Sequence, residues 1–311
     1  MTRPVAWILV GPTAVGKSDV AHLLAQQRGA MVLSADAMAV YRGMDIGTAK
    51  PDARMRGEVP YRGIDLVEPA DVFSVGAYCR HAQSVVNEAA RENRPLLVAG
   101  GTGLYVSSLV RGLATPSPVD PERRSHWERL WQAEGLEGLQ RALRQLDAGA
   151  LDRLADPRNP RRLIRALERA EAGTPPDQNW RRPMASRIVG LRMDPGLLRA
   201  RIQQRAQWMF ASGILDEAAR LRRHPHPLSH TAAQAIGYAE AFDVLDQRLS
   251  VAEAVARTAA RTWQLARRQM TWFRRQLPVS WIDVGAADAR EQLAAQVSRQ
   301  WEQDGPTALF I

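Results

Sequence analysis

The chain reads as an α/β protein: a parallel sheet flanked by helices, carrying a helical insertion domain and ending in a helical C-terminal part. Three observations lead there. Short apolar runs at 4–10, 31–34, 95–99 and 187–193 alternate with helical stretches, the pattern of strands joined by crossover helices. A glycine-rich turn separates the first strand from the first helix. Past 114–118, Ala-Thr-Pro-Ser-Pro, the texture changes to arginine-rich helical sequence. Ligands of such sheets bind at the C-terminal ends of the strands.

Pro4 to Val10 reads as a buried strand, followed by the turn at 11–16 and a helix from about 17 to 27. Met31 to Ser34 is a second strand, ending just before Asp36. A helix over 77–92 is broken by Arg94-Pro95. Pro95 to Ala99 is a third strand, ended by Gly100-Gly101. Residues 114–118 read as a linker. Residues 1–118 and 184–311 are expected to form the core, and 119–183 the insertion, closing with a loop at Gly173 to Asn179. A strand at 187–193 precedes a helix at 195–211, for which Gly213 supplies a C-cap. Ser250 followed by Glu253 is a capping-box signature opening a helix to about 276.

With 311 residues, 45% hydrophobic and 24% charged, the chain can bury a sizeable core, which excludes a disordered tail or a disulfide mini-scaffold. No apolar run approaches the ~20 residues of a membrane span, and Val5 to Val10 is too short for a secretory signal. Cys79 is the single cysteine, so an internal disulfide and a cysteine-rich metal site are excluded and a reducing cytoplasm is expected. Of 42 basic residues only Lys17 and Lys50 are lysine. Where arginine is so favoured, a surviving lysine marks a place that suits a compact point charge rather than a planar fork. The net charge of +9 falls almost wholly beyond residue 110, which points to a polyanion-binding surface there.

Gly11-Pro12-Thr13-Ala14-Val15-Gly16-Lys17-Ser18 matches G-x-x-x-x-G-K-[ST] between a strand and a helix, the context that gives this nucleotide-binding, commonly ATP-binding, motif its mechanism and makes the fold P-loop NTPase-like. Backbone N–H groups and the helix N-terminus face phosphate oxygens. Lys17 bridges phosphates and the Ser18 hydroxyl suits Mg²⁺. No hydrophobic run ending in Asp-Glu and no Asn-Lys-x-Asp signature accompanies it, so the motif indicates a di- or triphosphate without indicating nucleotide hydrolysis. Asp36, at the C-terminal end of the second strand, is expected to face this loop. There it acts as a positioned base or an indirect metal ligand; as the alternative it is a helix N-cap.

"GPTAVGKS", "SADAMAVYRGMDIGTAKP" and "GGTGLYVSSLVRGL", followed by "NPRRLIRALE", "RIQQRAQWMFASGILDEA", "AIGYAE" and "RTWQLARRQMTWFR", resemble in this order the bacterial form of the tRNA dimethylallyltransferase family up to about residue 285. The resemblance implies transfer of a dimethylallyl group from dimethylallyl diphosphate to N6 of the adenosine 3′ of the tRNA anticodon. The phosphate loop then holds the prenyl donor's diphosphate. Asp36 is implied as the catalytic carboxylate, Thr13 as a contact to the diphosphate or amine, and Lys17 with Mg²⁺ near Ser18 as the neutraliser of the leaving group. The target base must leave its stack, which a single-stranded loop permits. Implied tRNA contacts are Asp36, Ala37, Met38, Ala39, Thr102, Arg124, Arg161, Arg162, Leu163, Ile164, Arg165, Gln234, Ala235, Ile236, Gly237, Tyr238 and Ala239. The arginines suit phosphates, Gly237 permits close backbone approach, and Tyr238 can stack on a base. Where the family has Asp-Ser-x-Gln, this chain has Asp36-Ala37-Met38-Ala39, and Ala239 stands where Arg or Lys is common.

Arg257, Arg261, Arg268 and Arg275 share one helix face in a stretch without acids, a candidate track for RNA phosphates or else a solvated face. Arg201 and Arg205 share a face with Trp208, for a diphosphate contact or for packing. His224-Pro225-His226 reads as a surface loop. Lys50 has no assigned role. The expected partners are the tRNA anticodon arm and the diphosphate donor, with no membrane and a monomeric chain. A P-loop small-molecule kinase and a non-catalytic tRNA-binding protein are the alternatives.

Overall fold

β1 (Val5–Val10) forms the middle of a parallel sheet because nearly every one of its residues is apolar and can be covered on both faces. The computed structural model describes residues 3–112, 120–154, 156–173 and 188–311. The strand order is β3 (Tyr61–Arg62), β2 (Met31–Ser34), β4 (Leu96–Gly100), β1, β5 (Ile188–Met193), β6 (Val279–Val284), all parallel. β7 (Thr307–Ala308) adds antiparallel to the start of β1. Successive β1 side chains take opposite faces. Leu9 joins one core with α1 (Lys17–Arg28), α8 (Pro195–Ala211) and α13 (Arg290–Asp304). Ala6, Ile8 and Val10 join the other with α3 (Val75–Arg91) and α4 (Gly103–Arg111).

The register aligns the strand ends. Val10 pairs with Gly100 and with Gly190, and Ser34 pairs with Ala99. The turns after β1, β2 and β4 therefore leave the sheet side by side. Gly100 is needed there, because a Cβ would lie 2.2 Å from the Ala35 carbonyl oxygen.

Chain contacts divide the molecule into one unit of 1–112 with 183–311 and a second of 113–182. The second contains α5 (Pro121–Leu146), α6 (Ala150–Arg153) and α7 (Pro160–Glu171) around Trp127, Leu139, Leu143, Leu163, Ile164 and Leu167. Gly135, at φ 65°, breaks the α5 helix. The expected linker at 114–118 lies outside the described residues, as does the loop at Gly173 to Asn179 apart from Gly173.

Ser74 opens α3 with its side chain accepting from the Ala77 N–H, a cap signal that places this helix two residues earlier than its apolar pattern. Ser212 takes the C-cap of α8, and Gly213 follows at φ 98° as the N-cap of α9 (Ile214–Arg222). One glycine thus turns the chain between two helices where a simple stop was expected. α12 (Val251–Gln276) starts with the Ser250–Glu253 capping box. α2 (Ala53–Glu58), α10 (His230–Ala233), α11 (Tyr238–Leu245), β3, β6, β7 and α13 complete the described elements.

Lys50 lies in the crossover from β2 to α2. Its ammonium donates to the Tyr41 carbonyl (2.5 Å), Asp45 Oδ1 (2.8 Å) and Asp65 Oδ1 (2.6 Å), and its side chain is fully buried. Three acceptors around one point match three ammonium hydrogens, a geometry that a guanidinium fork cannot reproduce. Arg56 holds the other Asp65 oxygen at 2.7 Å. The segment thus tied is pinned further by Asp65 N–H to Ala39 O (3.0 Å) and Leu66 N–H to Val40 O (2.7 Å). Lys50→Met leaves carboxylates without their buried partner and should lower stability by about 2–4 kcal/mol. Lys50→Arg keeps the charge yet should still cost about 1 kcal/mol or more. Urea unfolding of the variants checks both; an Arg variant as stable as the parent would contradict the fit.

Candidate active site

The phosphate loop connects β1 to α1 and needs backbone shapes that ordinary residues resist. Gly11 has φ 150°, and a Cβ on it would lie 2.5 Å from the Leu191 carbonyl of β5. Gly16 has φ 99° and Ala14 φ 65°. Lys17 is partly buried and donates to the Pro12 carbonyl at 2.6 Å. Burial of the ammonium lowers its pKa from 10.5 to about 8; Asp36 opposes the shift and Arg205 adds to it. Ser18 stands exposed in the first turn of α1.

α8 brings cations to the loop. Arg205 Nη1 donates to Thr13 Oγ1 at 3.3 Å. Burial lowers the Arg205 pKa, against the pull of Asp36 and Asp19. A Cβ on Gly16 would lie 3.8 Å from Arg201 Nη1. Of the two readings of Arg201 and Arg205, the one at the phosphate loop fits this placement. Trp208, on the same helix, remains 54% exposed.

Asp36 faces this cluster, since its charge acts on both Lys17 and Arg205. It is not a helix N-cap: no helix follows, and Asp36 Oδ1 instead accepts the Met38 N–H at 2.8 Å. The Gly100-Gly101-Thr102 turn braces it. Thr102 Oγ1 accepts the Ala37 N–H (3.0 Å), and the Thr102 N–H donates to Ala35 O (3.0 Å). Gln269 of α12 reaches the same place, accepting the Thr13 N–H (2.8 Å) and donating to Gly101 O (3.1 Å). No sequence signal singled out Gln269, because its partners are backbone groups about 170 and 256 positions away.

The expected stacking by Tyr238 is not available. Its ring is fully buried, and its hydroxyl donates to Glu217 and accepts the Gly47 N–H at 3.2 Å. Burial and the neighbouring Glu217 carboxylate raise its pKa. The close approach at Gly237 is likewise made from inside: a Cβ there would meet Met209 Cε at 2.6 Å and Ile214 Cδ1 at 3.0 Å. Ala235 and Ala39 are buried, while Gln234 is exposed, Ile236 and Ala239 half-buried, and Ala37 and Met38 half-buried beside Asp36. Glu217 also receives the Asp45 N–H (3.0 Å) and Ile46 N–H (3.1 Å). This segment therefore acts as a brace for residues 45–47.

In the 113–182 unit, Leu163 and Ile164 are core side chains rather than exposed contacts. Arg161 and Arg162 are exposed on the first turn of α7. Arg165 pairs with Glu168 (2.8 Å), and Arg124 pairs with Glu128 (2.9 Å) and approaches Glu168 (3.8 Å). The α12 stripe is also partly neutralised. Arg257 pairs with Asp243 (3.2 Å), and Arg261 donates to Glu240 at 2.5 Å. The balancing acids come from α11, which the linear sequence did not reveal. Arg267, Arg268, Arg274 and Arg275 are exposed.

Among the described residues no group of three His, Cys, Asp or Glu gathers to hold a metal, and no helix is long and apolar enough to cross a membrane. The His224–His226 stretch lies in a surface loop.

A lowered Lys17 pKa has two opposite consequences. The unliganded fold gains stability as pH rises from about 8 toward 10.5, because the unfolded chain still binds the proton that the folded chain has lost. Anion binding weakens over the same range, because the loop must recover that proton. Calorimetric titration with inorganic pyrophosphate should show affinity falling up to tenfold per pH unit above about 8, relative to a Lys17→Gln reference. Parallel curves for the two proteins would contradict this.

The IPP transferase family profile matches residues 39–276, and an isopentenyl transferase profile matches 4–57. A tRNA dimethylallyltransferase of Thermomicrobium roseum is 38% identical over 97% of this chain and 93% of its own. One of Geobacillus kaustophilus is 37% identical over 96% of each chain. The crystal structure of the full-length tRNA isopentenylpyrophosphate transferase of Bacillus halodurans is 32% identical, with a TM-score of 0.68, over 97% of this chain and 98% of that one. A eukaryotic dimethylallyltransferase, 20% identical, shares the fold with a TM-score of 0.74. Matched along nearly its whole length, the chain belongs to the IPP transferase family of tRNA dimethylallyltransferases.

Proposed function

We propose that the protein transfers a dimethylallyl group from dimethylallyl diphosphate to N6 of the adenosine 3′-adjacent to the anticodon of a tRNA. The observation that carries this reading is Asp36 set against Lys17 and Arg205 at a phosphate loop. A carboxylate among phosphate-holding cations suits a reaction that needs an anion site and a proton acceptor together. The allylic C–O bond breaks and the negative charge leaves on diphosphate. The new C–N6 bond forms, and the N6 proton passes to the Asp36 carboxylate. Loop N–H groups, Lys17 and Arg205 stabilise the leaving charge, and the Thr13 hydroxyl, fixed by Arg205, lies beside it.

Ser18 Oγ is the side chain that would hold Mg²⁺, which when bound neutralises part of the diphosphate charge. A single exposed hydroxyl fits an ion that brings its remaining oxygens from diphosphate and water. Exposed cations suited to the phosphates of an anticodon arm are Arg161 and Arg162 at the α7 N-terminus of one unit and, in the other unit taken by itself, Arg267, Arg268, Arg274 and Arg275 of α12. Arg124 and Arg165, drawn onto Glu168, contribute less. A monomer acting in the cytoplasm completes this reading.

Incubation with labelled dimethylallyl diphosphate and unmodified tRNA should put label into tRNA, and Asp36→Asn should reduce the rate by about 10²-fold or more. ATP consumption without label would indicate a small-molecule kinase. Binding without either reaction would indicate a tRNA-binding protein. Arg161→Ala with Arg162→Ala should flatten the slope of log affinity for tRNA against log salt by about 1–2. Donor affinity should stay within about twofold, and an unchanged slope would remove the pair from the interface.

A further inference from the structure

Gln269 stands on α12, far in sequence from the phosphate loop, Asp36 and the Gly-Gly-Thr turn. Its side-chain amide nonetheless bridges two of them. Oε1 takes the Thr13 N–H at 2.8 Å and Nε2 donates to Gly101 O at 3.1 Å. The site is shaped for it: a Cβ on Gly101 would lie 2.4 Å from Nε2. One residue on, Thr102 grips both neighbours of Asp36, through its N–H to Ala35 O and its Oγ1 from the Ala37 N–H, each at 3.0 Å. A continuous path thus runs from Thr13 through Gln269, Gly101 and Thr102 to the backbone flanking Asp36. Its two ends are the loop that would hold the leaving diphosphate and the carboxylate that would receive the amine proton.

We propose that Gln269 is a positioning residue that sets the separation between the phosphate loop and Asp36; this rests on the prenyl-transfer reading above. Substitution at an allylic carbon needs the nucleophile held about 3–3.5 Å from that carbon and in line with its bond to the leaving group, and a 1 Å error can cost about 10²-fold. An amide suits the task because one atom accepts from an N–H while the other donates to a carbonyl. A carboxylate would repel the Gly101 oxygen, and a hydroxyl is too short to span both. The placement of α12 itself rests on other contacts, since Ala259, Ala266 and Phe273 are buried in the two sheet-facing cores. Gln269 is therefore free to serve geometry rather than attachment.

The test uses the full chain with dimethylallyl diphosphate and unmodified tRNA. Gln269→Ala and Gln269→Leu, the second filling similar volume without either hydrogen bond, should lower kcat by about 10–100-fold. KM for both substrates should stay within about threefold. Gly101→Ala, which displaces the amide without altering any group expected to touch substrate, should reproduce that loss. Combined with Gln269→Ala it should lower kcat by less than about twofold further, since both act through one contact. Wild-type kcat in the Leu variant would overturn the proposal. So would a rise confined to KM, or single losses that multiply in the double variant. Failure of the parent chain to transfer label at all would instead overturn the prenyl-transfer reading. Because a purely structural role would show as a lowered melting temperature without a kcat-specific loss, thermal unfolding of each variant separates the two.

Discussion

Concentrated positive charge at the end of β1 is the constraint around which this molecule is built. Lys17, Arg205 and the nearby Arg201 crowd the phosphate loop, and the charge of Asp36 acts on both Lys17 and Arg205. Such a cluster opposes its own assembly, since desolvation lowers the proton affinity of both cations. An arriving diphosphate reverses the balance. The unliganded site is therefore held together from outside, by groups whose own interactions are favourable.

Those outside supports are distinct. Level strand ends in the parallel sheet bring three turns together, and glycines at 11 and 100 allow backbones to touch where a methyl group would collide. The segment after Asp36 is tied twice, by the Lys50 ammonium and by the Glu217 carboxylate with Tyr238. α8 and α12 then close on Thr13 from either side, one through its hydroxyl and one through its backbone. Strain and charge sit in the loop, and their compensation is spread over the surrounding fold.

Legibility in the sequence followed the range of the interactions. Strand runs, the phosphate-loop motif and the Ser250 capping box were readable, because each is decided by residues within a few positions. The meaning of Tyr238 was not, because an aromatic side chain near a glycine looks alike whether it stacks on a base or fills a core. Its burial is set by Glu217 and Gly47, 21 and 191 positions away. The acid-free stretch of α12 was misleading for the same reason, its counterions Glu240 and Asp243 belonging to α11. Gln269 lies within the RTWQLARRQMTWFR stretch, yet its role there was not legible, since hydrogen bonds to remote backbone leave no side-chain pattern. Short or half-exposed elements such as β3, β7 and α10 offered too few residues to show a period. Lys50 was conspicuous by rarity alone, and its reason came only with its three acceptors.

The scarcity of lysine gives the chain a chemical property that composition would not suggest. Acylating reagents attack neutral amines, and here one side-chain amine is sealed inside a cage of oxygens. The other, at the floor of the phosphate loop, titrates near 8 and so presents near neutral pH a free-base fraction on the order of 10²-fold larger than an ordinary lysine. A mild electrophile would thus be directed to the anion site by proton affinity and occlusion together. The surface side chains, cationic through guanidinium groups, would offer no competing lysine amine.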